Sequence, residues 1–186
     1  MPITKLDNVA ALVVIDLQKG IVALPTVHPA GEIVDRVARL VRAFRKRGLP
    51  VVLVNVTGSA PGRTDAAASA AKVTRPPDWA ELIPELESQA GDFLVTKERW
   101  GAFHGTSLDE YLRGRGVTQI LLTGVATSIG VESTARSAYD LGYHVVLVTD
   151  AMTDRDAEAH RHTVEKIFPR LGESGTTDEV LKLLVK

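Results

Sequence analysis

The stretch QILLTGVATSIGVESTARSAYDLGYHVVLVTD (Gln119–Asp150) contains two apolar runs, separated by a turn of small residues and a helical pattern. The runs cover Gln119–Gly124 and His144–Asp150, and each is continuous rather than alternating, which is typical of strands buried on both faces of a parallel sheet. The helical pattern covers Glu132–Gly142. A strand, a helix and a second strand in this order predict a crossover unit with parallel strands.

Three further apolar runs and four further helical patterns continue this alternation along the chain. Strands are predicted at Ala11–Asp16, Pro50–Val56 and Asp92–Lys97, and helices at Glu32–Gly48, from Thr106 or Ser107, at Asp156–Phe168 and from Thr176 or Thr177. We therefore expect an α/β fold, a Rossmann-like three-layer sandwich with a central parallel sheet of about six strands. No repeat or flexible linker divides the sequence, so a single domain over residues 1–186 is expected. The longest irregular region, Thr57–Trp79, is a candidate lid or interface loop, with disorder as the alternative.

The composition excludes several classes of function. The 22 basic and 23 acidic residues nearly cancel, which argues against a nucleic-acid or anionic-membrane surface. The absence of cysteine excludes disulfides, zinc–thiolate sites and thiol nucleophiles. The N-terminal sequence MPITKLDNVA does not resemble a signal peptide, and no apolar run approaches the length of about 20 residues that spans a bilayer. A cytoplasmic protein that acts on a small molecule is the expectation.

Polar residues follow the predicted strands at the edge where α/β sheets bind ligands. Asp16 ends the first strand and Lys97 ends the third, so the two side chains could form an ion pair in which the ammonium favours the ionised carboxylate. Asp16 is a candidate general acid or base, although an aspartate there could also cap a turn. The turn from Gly124 to Gly130 begins a helix, and its backbone N–H groups could hold an anion.

Other polar and aromatic residues near this edge are weaker candidates. Thr127 carries a hydroxyl group in the turn, but it has no histidine partner in the sequence, so helix capping is the simpler role. Trp100 and Phe103 follow Lys97 and could wall a site for a flat or apolar substrate, with core packing as the alternative. The five histidines do not form a metal signature, and no cofactor is predicted.

Three segments in this order resemble the isochorismatase-like hydrolases. They are ALVVIDLQKG (11–20), VTKERWGAFHGTSLDEYLRGRG (95–116) and ILLTGVATSIGVESTARSAYDLGYHVVLVTDAM (120–152). Most members of that family are cysteine amidohydrolases that use an Asp, a Lys and a Cys. Asp16 and Lys97 match the first two, and Gly130 stands at the position of the third. The resemblance further implies a non-proline cis peptide at Val125–Ala126, and an oxyanion hole formed by the N–H groups of residues 126 and 130.

The isochorismatases proper form a branch of this family that also carries glycine at the cysteine position. They hydrolyse a vinyl ether and release pyruvate without a covalent nucleophile, and the aspartate is thought to protonate the vinyl group. By resemblance, Asp16 would be the acid, while Lys97, Ala126 and Thr127 would line the substrate site. That branch has Tyr where this chain has Ala126 and His where it has Ser128, and Arg63 is a candidate carboxylate anchor.

The resemblance also bears on metals and partner chains. Nicotinamidase-like members bind a metal through Asp and two His residues after the second strand, and the corresponding segment TGSAPGRTD (57–65) has no histidine. No metal is therefore expected. Family members usually form dimers or tetramers, so a homo-oligomer is expected.

Three hypotheses about function remain open. The first is a hydrolase that acts without a thiol on a vinyl ether or another small carboxylated substrate. The second is a cysteine-type amidohydrolase in which Gly130 replaces the cysteine, as in a variant of a nicotinamidase or carbamoyl amidase. The third is a non-catalytic protein that keeps the fold and binds a small molecule.

Overall fold

The structure, a computed structural model, describes residues 3–65 and 74–185 of the 186-residue chain. Its centre is one parallel sheet in the order β3-β2-β1-β4-β5-β6. The strands are β1 (Ala10–Ile15), β2 (Val51–Val56), β3 (Phe93–Lys97), β4 (Gln119–Val125), β5 (His144–Thr153) and β6 (Glu173–Gly175). The predicted parallel sheet of about six strands is therefore confirmed.

Helices cover both faces of the sheet. They are α1 (Lys19–Val22), α2 (Ala30–Lys46), α3 (Leu108–Gly114), α4 (Glu132–Asp140), α5 (Ala157–His162) and α6 (Thr177–Val185), with shorter helical turns at Pro84–Leu86, Thr127–Val131, Thr163–Ile167 and Phe168–Arg170. None of the helices in the described part of the chain is long and apolar enough to cross a membrane. The predicted irregular region 57–79 includes residues 66–73, which lie outside the described residues.

The two faces of β1 show why its sequence is apolar without alternation. Ala10, Leu12 and Val14 belong to one core cluster, which also contains the buried side of α2. Ala11, Val13 and Ile15 belong to the other cluster, which contains the buried residues of α3 and α4. All six side chains are inaccessible to solvent, since a strand in the middle of a three-layer sandwich has no exposed face. The predicted three layers are confirmed.

Several predicted boundaries need correction. β5 extends to Thr153 rather than ending at Asp150, with an irregularity in its register to β4 between Leu122 and Gly124. The helix predicted at Asp156–Phe168 is interrupted, because α5 passes into a wider turn at Thr163. The sequence did not predict the short elements β6 and α1.

Two helix ends agree with the signals read from the sequence. Gly48 follows α2 and has a φ of +66°, a left-handed conformation that glycine adopts without steric cost. Thr176 and Glu179 form the capping pair of α6, in which the Glu179 carboxylate accepts a hydrogen bond of 2.7 Å from the Thr176 N–H.

The strand order creates a crevice between β1 and β4. The chain runs from β1 outward to β2 and β3, then returns to β4 on the other side of β1 and continues to β5 and β6. In such a sheet the connections diverge at this point, and ligands bind beyond the carboxyl ends of the strands. Gly124 lies here with a φ of +113°, and a Cβ atom on it would overlap the backbone of Ile15. The close approach of the two strands therefore requires glycine.

Candidate active site

The structure brings the predicted acid and amine together at the carboxyl ends of β1 and β3. The Lys97 Nζ atom lies 2.8 Å from Asp16 Oδ2 and donates a second hydrogen bond of 3.0 Å to the Arg99 carbonyl. β3 lies two strands from β1, a distance of about 10 Å, which the long lysine side chain helps to bridge. Both side chains are almost completely buried, so the pair is a buried ion pair rather than a solvated contact.

Burial decides the protonation of Asp16. Desolvation raises the pKa of its carboxyl from 3.8 to about 6, and the opposing effects of the Lys97 charge and hydrogen bond are smaller. Asp16 Oδ1 is buried and has no hydrogen-bond partner among the described residues. Such an orphaned polar atom in a native fold calls for an explanation. The arrangement is that of a carboxyl group that can hold a proton near neutral pH and has one oxygen without a hydrogen-bond partner among the described residues.

The backbone at Asp16 is also unusual. Its φ is +52°, a left-handed conformation that is uncommon outside glycine, although aspartate adopts it more readily than most residues. The main chain is fixed there by the hydrogen bond from Asp16 N to the Val54 carbonyl, at 3.0 Å, and by the bond from Gln18 N to the Asp16 carbonyl, at 2.9 Å. Strained backbone held by its surroundings is frequent at functional sites.

Gly130 lies directly beside the carboxyl group of Asp16. A Cβ atom built on Gly130 would lie 3.2 Å from Asp16 Oδ2 and 2.9 Å from Ile15 Cγ2. The Val125–Ala126 peptide bond that precedes this turn is cis, as the resemblance implied. The turn that leads from this peptide bond to Gly130 places Ala126, Ile129 and Gly130 along the same cavity as Asp16.

Side chains from two distant elements hold this turn. Asp154, which is 3% exposed and follows β5, accepts a hydrogen bond of 2.7 Å from the Ser128 N–H. Thr134 on α4 donates a hydrogen bond of 2.7 Å to the Gly130 carbonyl. Asp154 was not among the residues predicted for the site, because β5 was predicted to end at Asp150. An extension of that strand by three residues would have placed Asp154 at the ligand-binding edge.

The cavity has a volume of about 270 Å³ and opens at the carboxyl end of the sheet. Its wall combines the buried pair with apolar and basic groups. The lining residues include Asp16, Lys97, Gly130, Ala126, Ile129, Leu24, Trp79, Trp100, Arg75, Arg99 and Arg155. Trp100, one of the two aromatic residues predicted to wall the site, is 62% exposed and lies at this cavity.

Three of the candidate contacts do not lie at the cavity. Thr127 is fully buried, and its hydroxyl group lies 2.9 Å from His160 Nδ1. The expectation that this hydroxyl group has no histidine partner and caps a helix is therefore wrong, because His160 reaches it from α5 only in the folded chain. Phe103 is half-buried in the core cluster of α3 and α4, with its ring centroid 5.9 Å from that of Tyr143, which is the core-packing alternative for this residue. Arg63, the candidate carboxylate anchor, is exposed and is replaced at the cavity by other arginines.

A second group that the sequence did not reveal fixes the wall near Trp79. The buried amide of Gln18 accepts a hydrogen bond of 2.8 Å from the Val56 N–H and donates bonds of 3.1 Å to the carbonyls of Val56 and Trp79. The indole of Trp79 packs on Gly20, where any Cβ atom would overlap it. The position of Gln18 two residues after Asp16, beyond the end of β1, was the available signal.

A larger hollow of about 510 Å³ lies at the opposite edge of the sheet, along residues 4–8 and Leu49, which precede β1 and β2. We do not assign the chemistry to it, because ligands of parallel sheets bind at the carboxyl ends of the strands and the Asp16–Lys97 pair lies there. Within residues 3–65 and 74–185, no cluster of three or more His, Asp or Glu side chains could hold a metal ion.

Comparison with known proteins identifies the same domain over most of the chain. A family model described as the isochorismatase domain matches residues 10–179. The isochorismatase family protein YwoC of Bacillus subtilis is 47% identical over 177 residues, which cover 92% of each chain.

Solved structures agree with this match. An isochorismatase family protein from Burkholderia thailandensis is 43% identical and superposes with a TM-score of 0.92 over 98% of each chain. N-carbamoylsarcosine amidase from Thermoplasma acidophilum is 28% identical, with a TM-score of 0.76 over 91% of this chain and 97% of that one.

Proposed function

Because the chain belongs to the isochorismatase family of hydrolases, we propose that it hydrolyses a small carboxylated vinyl ether without a covalent nucleophile. The observation that carries this proposal is the carboxyl group of Asp16. It lines the cavity, its Oδ1 atom lacks a partner among the described residues, and burial raises its pKa to about 6. A group with this pKa is a suitable general acid near neutral pH, since an efficient acid titrates close to the working pH.

The proposed reaction begins with a proton transfer from Asp16 to the terminal carbon of the vinyl group. This gives a methyl group and an oxocarbenium ion at the carbon that bears the ether oxygen. A water molecule adds to that carbon and returns a proton to the Asp16 carboxylate. The resulting hemiketal then breaks its bond to the ether oxygen, which takes up the hydroxyl proton, so that the products are pyruvate and an alcohol. One water molecule is consumed and Asp16 regains its proton.

Lys97 has two opposing effects on this cycle. Its ammonium group lowers the pKa of Asp16, which limits the protonated fraction of the acid at neutral pH. The same charge stabilises the carboxylate that is left after the proton has been transferred. We assign Lys97 to the stabilisation of this conjugate base, while the N–H groups of the turn that contains Ala126 and Gly130 orient the substrate.

The amidohydrolase hypothesis is the second candidate, and one geometric observation favours it. The Cβ position at Gly130 lies 3.2 Å from Asp16 Oδ2, so a thiol at this residue would be beside a carboxylate able to accept its proton. The similarity to N-carbamoylsarcosine amidase agrees with this geometry. The wild-type chain has no thiol, so vinyl-ether hydrolysis without a covalent nucleophile is the activity that we propose for it.

The experiment that tests the proposed function is an assay of pyruvate release from isochorismate. The wild-type protein is expected to release pyruvate, and Asp16→Asn, which has nearly the same shape but cannot donate an acidic proton, is expected to lower kcat at least ~100-fold. Asp178→Asn, at an exposed ion pair with Arg39, is the matched control and should keep full activity. Absence of pyruvate with the wild-type protein, or full activity of Asp16→Asn, would contradict the proposal.

Binding without turnover would favour the non-catalytic hypothesis. In that case a ligand raises the melting temperature of the protein, but no substrate is consumed.

The single domain over residues 1–186, the cytoplasmic location and the absence of nucleic-acid partners stay predictions. Assembly into a dimer or tetramer also stays a prediction, and light scattering of the purified protein would measure it.

A further inference from the structure

The turn Thr127–Val131 is held from behind by three side chains. Asp154 and Thr134 bind groups of its backbone. The third side chain is that of His160 on α5, whose Nδ1 atom lies 2.9 Å from the hydroxyl group of Thr127. His160 therefore reaches the turn through the side chain of its first residue rather than through the backbone.

A hydroxyl group beside a histidine can be a nucleophile with its base, but this pair does not face the substrate. Thr127 is inaccessible to solvent, and neither Thr127 nor His160 belongs to the lining of the cavity that contains Asp16. A nucleophile must approach the reacting carbon to within about 3–3.5 Å. The pair can therefore act on the reaction only through the turn.

The backbone of the turn shows how this action is transmitted. The carbonyl group of Ala126 accepts hydrogen bonds of 3.1 Å from the N–H groups of Ile129 and Val131. In a regular α-helix this carbonyl would instead bind the N–H of Gly130, four residues along the chain. Ala126, Ile129 and Gly130 all line the cavity. The form of the turn thus decides where the Gly130 N–H points, and Thr127 lies between the accepting carbonyl and the donating groups.

His160 is itself fixed by a second histidine. Its ring makes an edge contact with the ring of His28, with the two centroids 4.8 Å apart. The Nδ1 atom and the backbone N–H of His28 lie 3.2 Å and 3.1 Å from the hydroxyl oxygen of Thr153, a buried residue at the end of β5. Thr153, His28, His160 and Thr127 thus connect the end of a strand of the sheet to the turn.

Burial also sets the protonation of His160. Desolvation lowers the pKa of its ring below 6.5, and the neighbouring His28 lowers it further, while the Asp154 charge has a smaller opposing effect. The ring is therefore neutral at neutral pH. One nitrogen of a neutral imidazole is an acceptor, so Nδ1 can accept the proton of the Thr127 hydroxyl group. This contact satisfies a hydroxyl group that the fold removes completely from water.

We propose that His160 is a positioning residue of this hydrolase, which holds Thr127 and thereby fixes the turn that presents the Ala126 and Gly130 N–H groups to the substrate. This inference rests on the proposed function, in which those N–H groups orient the substrate. A displacement of about 1 Å in a positioned group can reduce a rate about 100-fold, so a contact outside the cavity can control kcat. The cavity wall, which neither His160 nor Thr127 joins, supplies the binding contacts, so KM should change less than kcat.

The kinetic test removes the hydrogen bond from either end. Thr127→Val keeps the shape of the side chain without its hydroxyl group, and His160→Leu removes the ring nitrogen. Each variant is expected to lower kcat for isochorismate ~10- to 100-fold, with KM within about threefold of the wild type. The double variant should lose about as much as the more impaired single variant, because both changes remove the same contact. Wild-type kcat in either single variant, or a double loss equal to the product of the single losses, would overturn the proposal.

Conservative variants separate positioning from packing. Thr127→Ser retains a hydroxyl group and His160→Asn places an amide where Nδ1 lies, so each should recover most of the kcat that the Val and Leu variants lose. His162→Leu, the same substitution at an exposed histidine of α5, is the matched control and should keep the wild-type kcat. Ser and Asn variants as impaired as the Val and Leu variants would mean that the pair only fills space, and the proposal would fail.

Hydrogen exchange in the ligand-free protein tests the contact without the reaction. The amides of Ile129 and Val131 bind the Ala126 carbonyl only while the turn keeps its form. Their exchange should be at least ~10-fold faster in Thr127→Val and His160→Leu than in the wild type, while the amides of α2 exchange at the wild-type rate. Wild-type exchange of both amides in both folded variants would overturn the proposal. Faster exchange together with no pyruvate release by the wild-type protein would contradict the proposed reaction and support the role of His160 in the turn, so the two failures are distinguishable.

Discussion

The rate of vinyl-ether hydrolysis should fall as the pH rises through the pKa of Asp16. Burial raises this pKa to about 6, and the acid must be protonated to act. With that pKa, about nine tenths of the molecules are protonated at pH ~5, about one tenth at pH ~7 and about one hundredth at pH ~8. We therefore expect kcat/KM to decrease about 90-fold between pH ~5 and pH ~8, with a slope of about one decade per pH unit at the upper end.

The assay is continuous pyruvate release from isochorismate, with the coupling system in excess at every pH. Lys97→Met provides a second measurement, because the lysine charge is the largest influence that lowers the pKa of Asp16. Removal of this charge should move the descending limb to higher pH. A rate that instead rises from pH ~5 to pH ~8 would refute the reasoning, since it would mean that the ionised carboxylate is the active form and acts as a base.

Three further predictions concern the residues that shape the site. Gly130→Cys should lower the unfolding free energy by about 1–3 kcal/mol, because the new Cβ lies 2.9 Å from Ile15 Cγ2. The variant should also release ammonia from carbamoyl or nicotinamide-like amides. Absence of ammonia release from a panel of such amides would contradict the amidohydrolase hypothesis for this turn. Gly20→Ala should lower the unfolding free energy by at least ~2 kcal/mol in urea titrations, since its Cβ overlaps the indole of Trp79. In the double variant with Trp79→Ala, part of that loss should be recovered. If the losses of the two single variants add in full, the contact between Gly20 and Trp79 is contradicted. Asp154→Asn places an amide N–H₂ against one of two backbone N–H donors, so we expect a loss of about 1–3 kcal/mol by the same titration, and wild-type stability would argue against these hydrogen bonds.

A strand could be predicted where its burial leaves an apolar run in its own residues. β1, β2, β4 and β5 are continuous apolar runs because both faces of a central parallel strand are covered by helices. β6 has the sequence Glu-Ser-Gly and lies at the edge of the sheet, where it pairs with β5 alone. Its extended form depends on the backbone groups that β5 offers, and no pattern of its own residues could reveal it.

Helix boundaries likewise depend either on neighbouring residues, which the sequence shows, or on contacts between distant segments, which it does not. The N-terminal capping pair of α6 and the glycine after α2 are signals carried by a few neighbouring residues, and both lie where they were predicted. The interruption of the predicted helix after α5 coincides with a hydrogen bond of 2.7 Å from Thr163 to Glu132 on a distant helix. That contact exists only once the two helices have packed.

The sequence alone determined that Asp16, Lys97 and the turn around Gly130 would reach one edge of the sheet, since each follows a strand and the strands of a parallel sheet end together. It could not decide whether Asp16 is an acid, because its pKa is set by solvent exclusion and by a lysine 81 residues away in the chain. Only the tertiary structure shows that desolvation raises the pKa of Asp16 by more than the Lys97 charge lowers it. It also brought Asp154 to the turn and directed Thr127 away from the cavity toward His160, because hydrogen-bond partners are supplied by segments that meet only after folding.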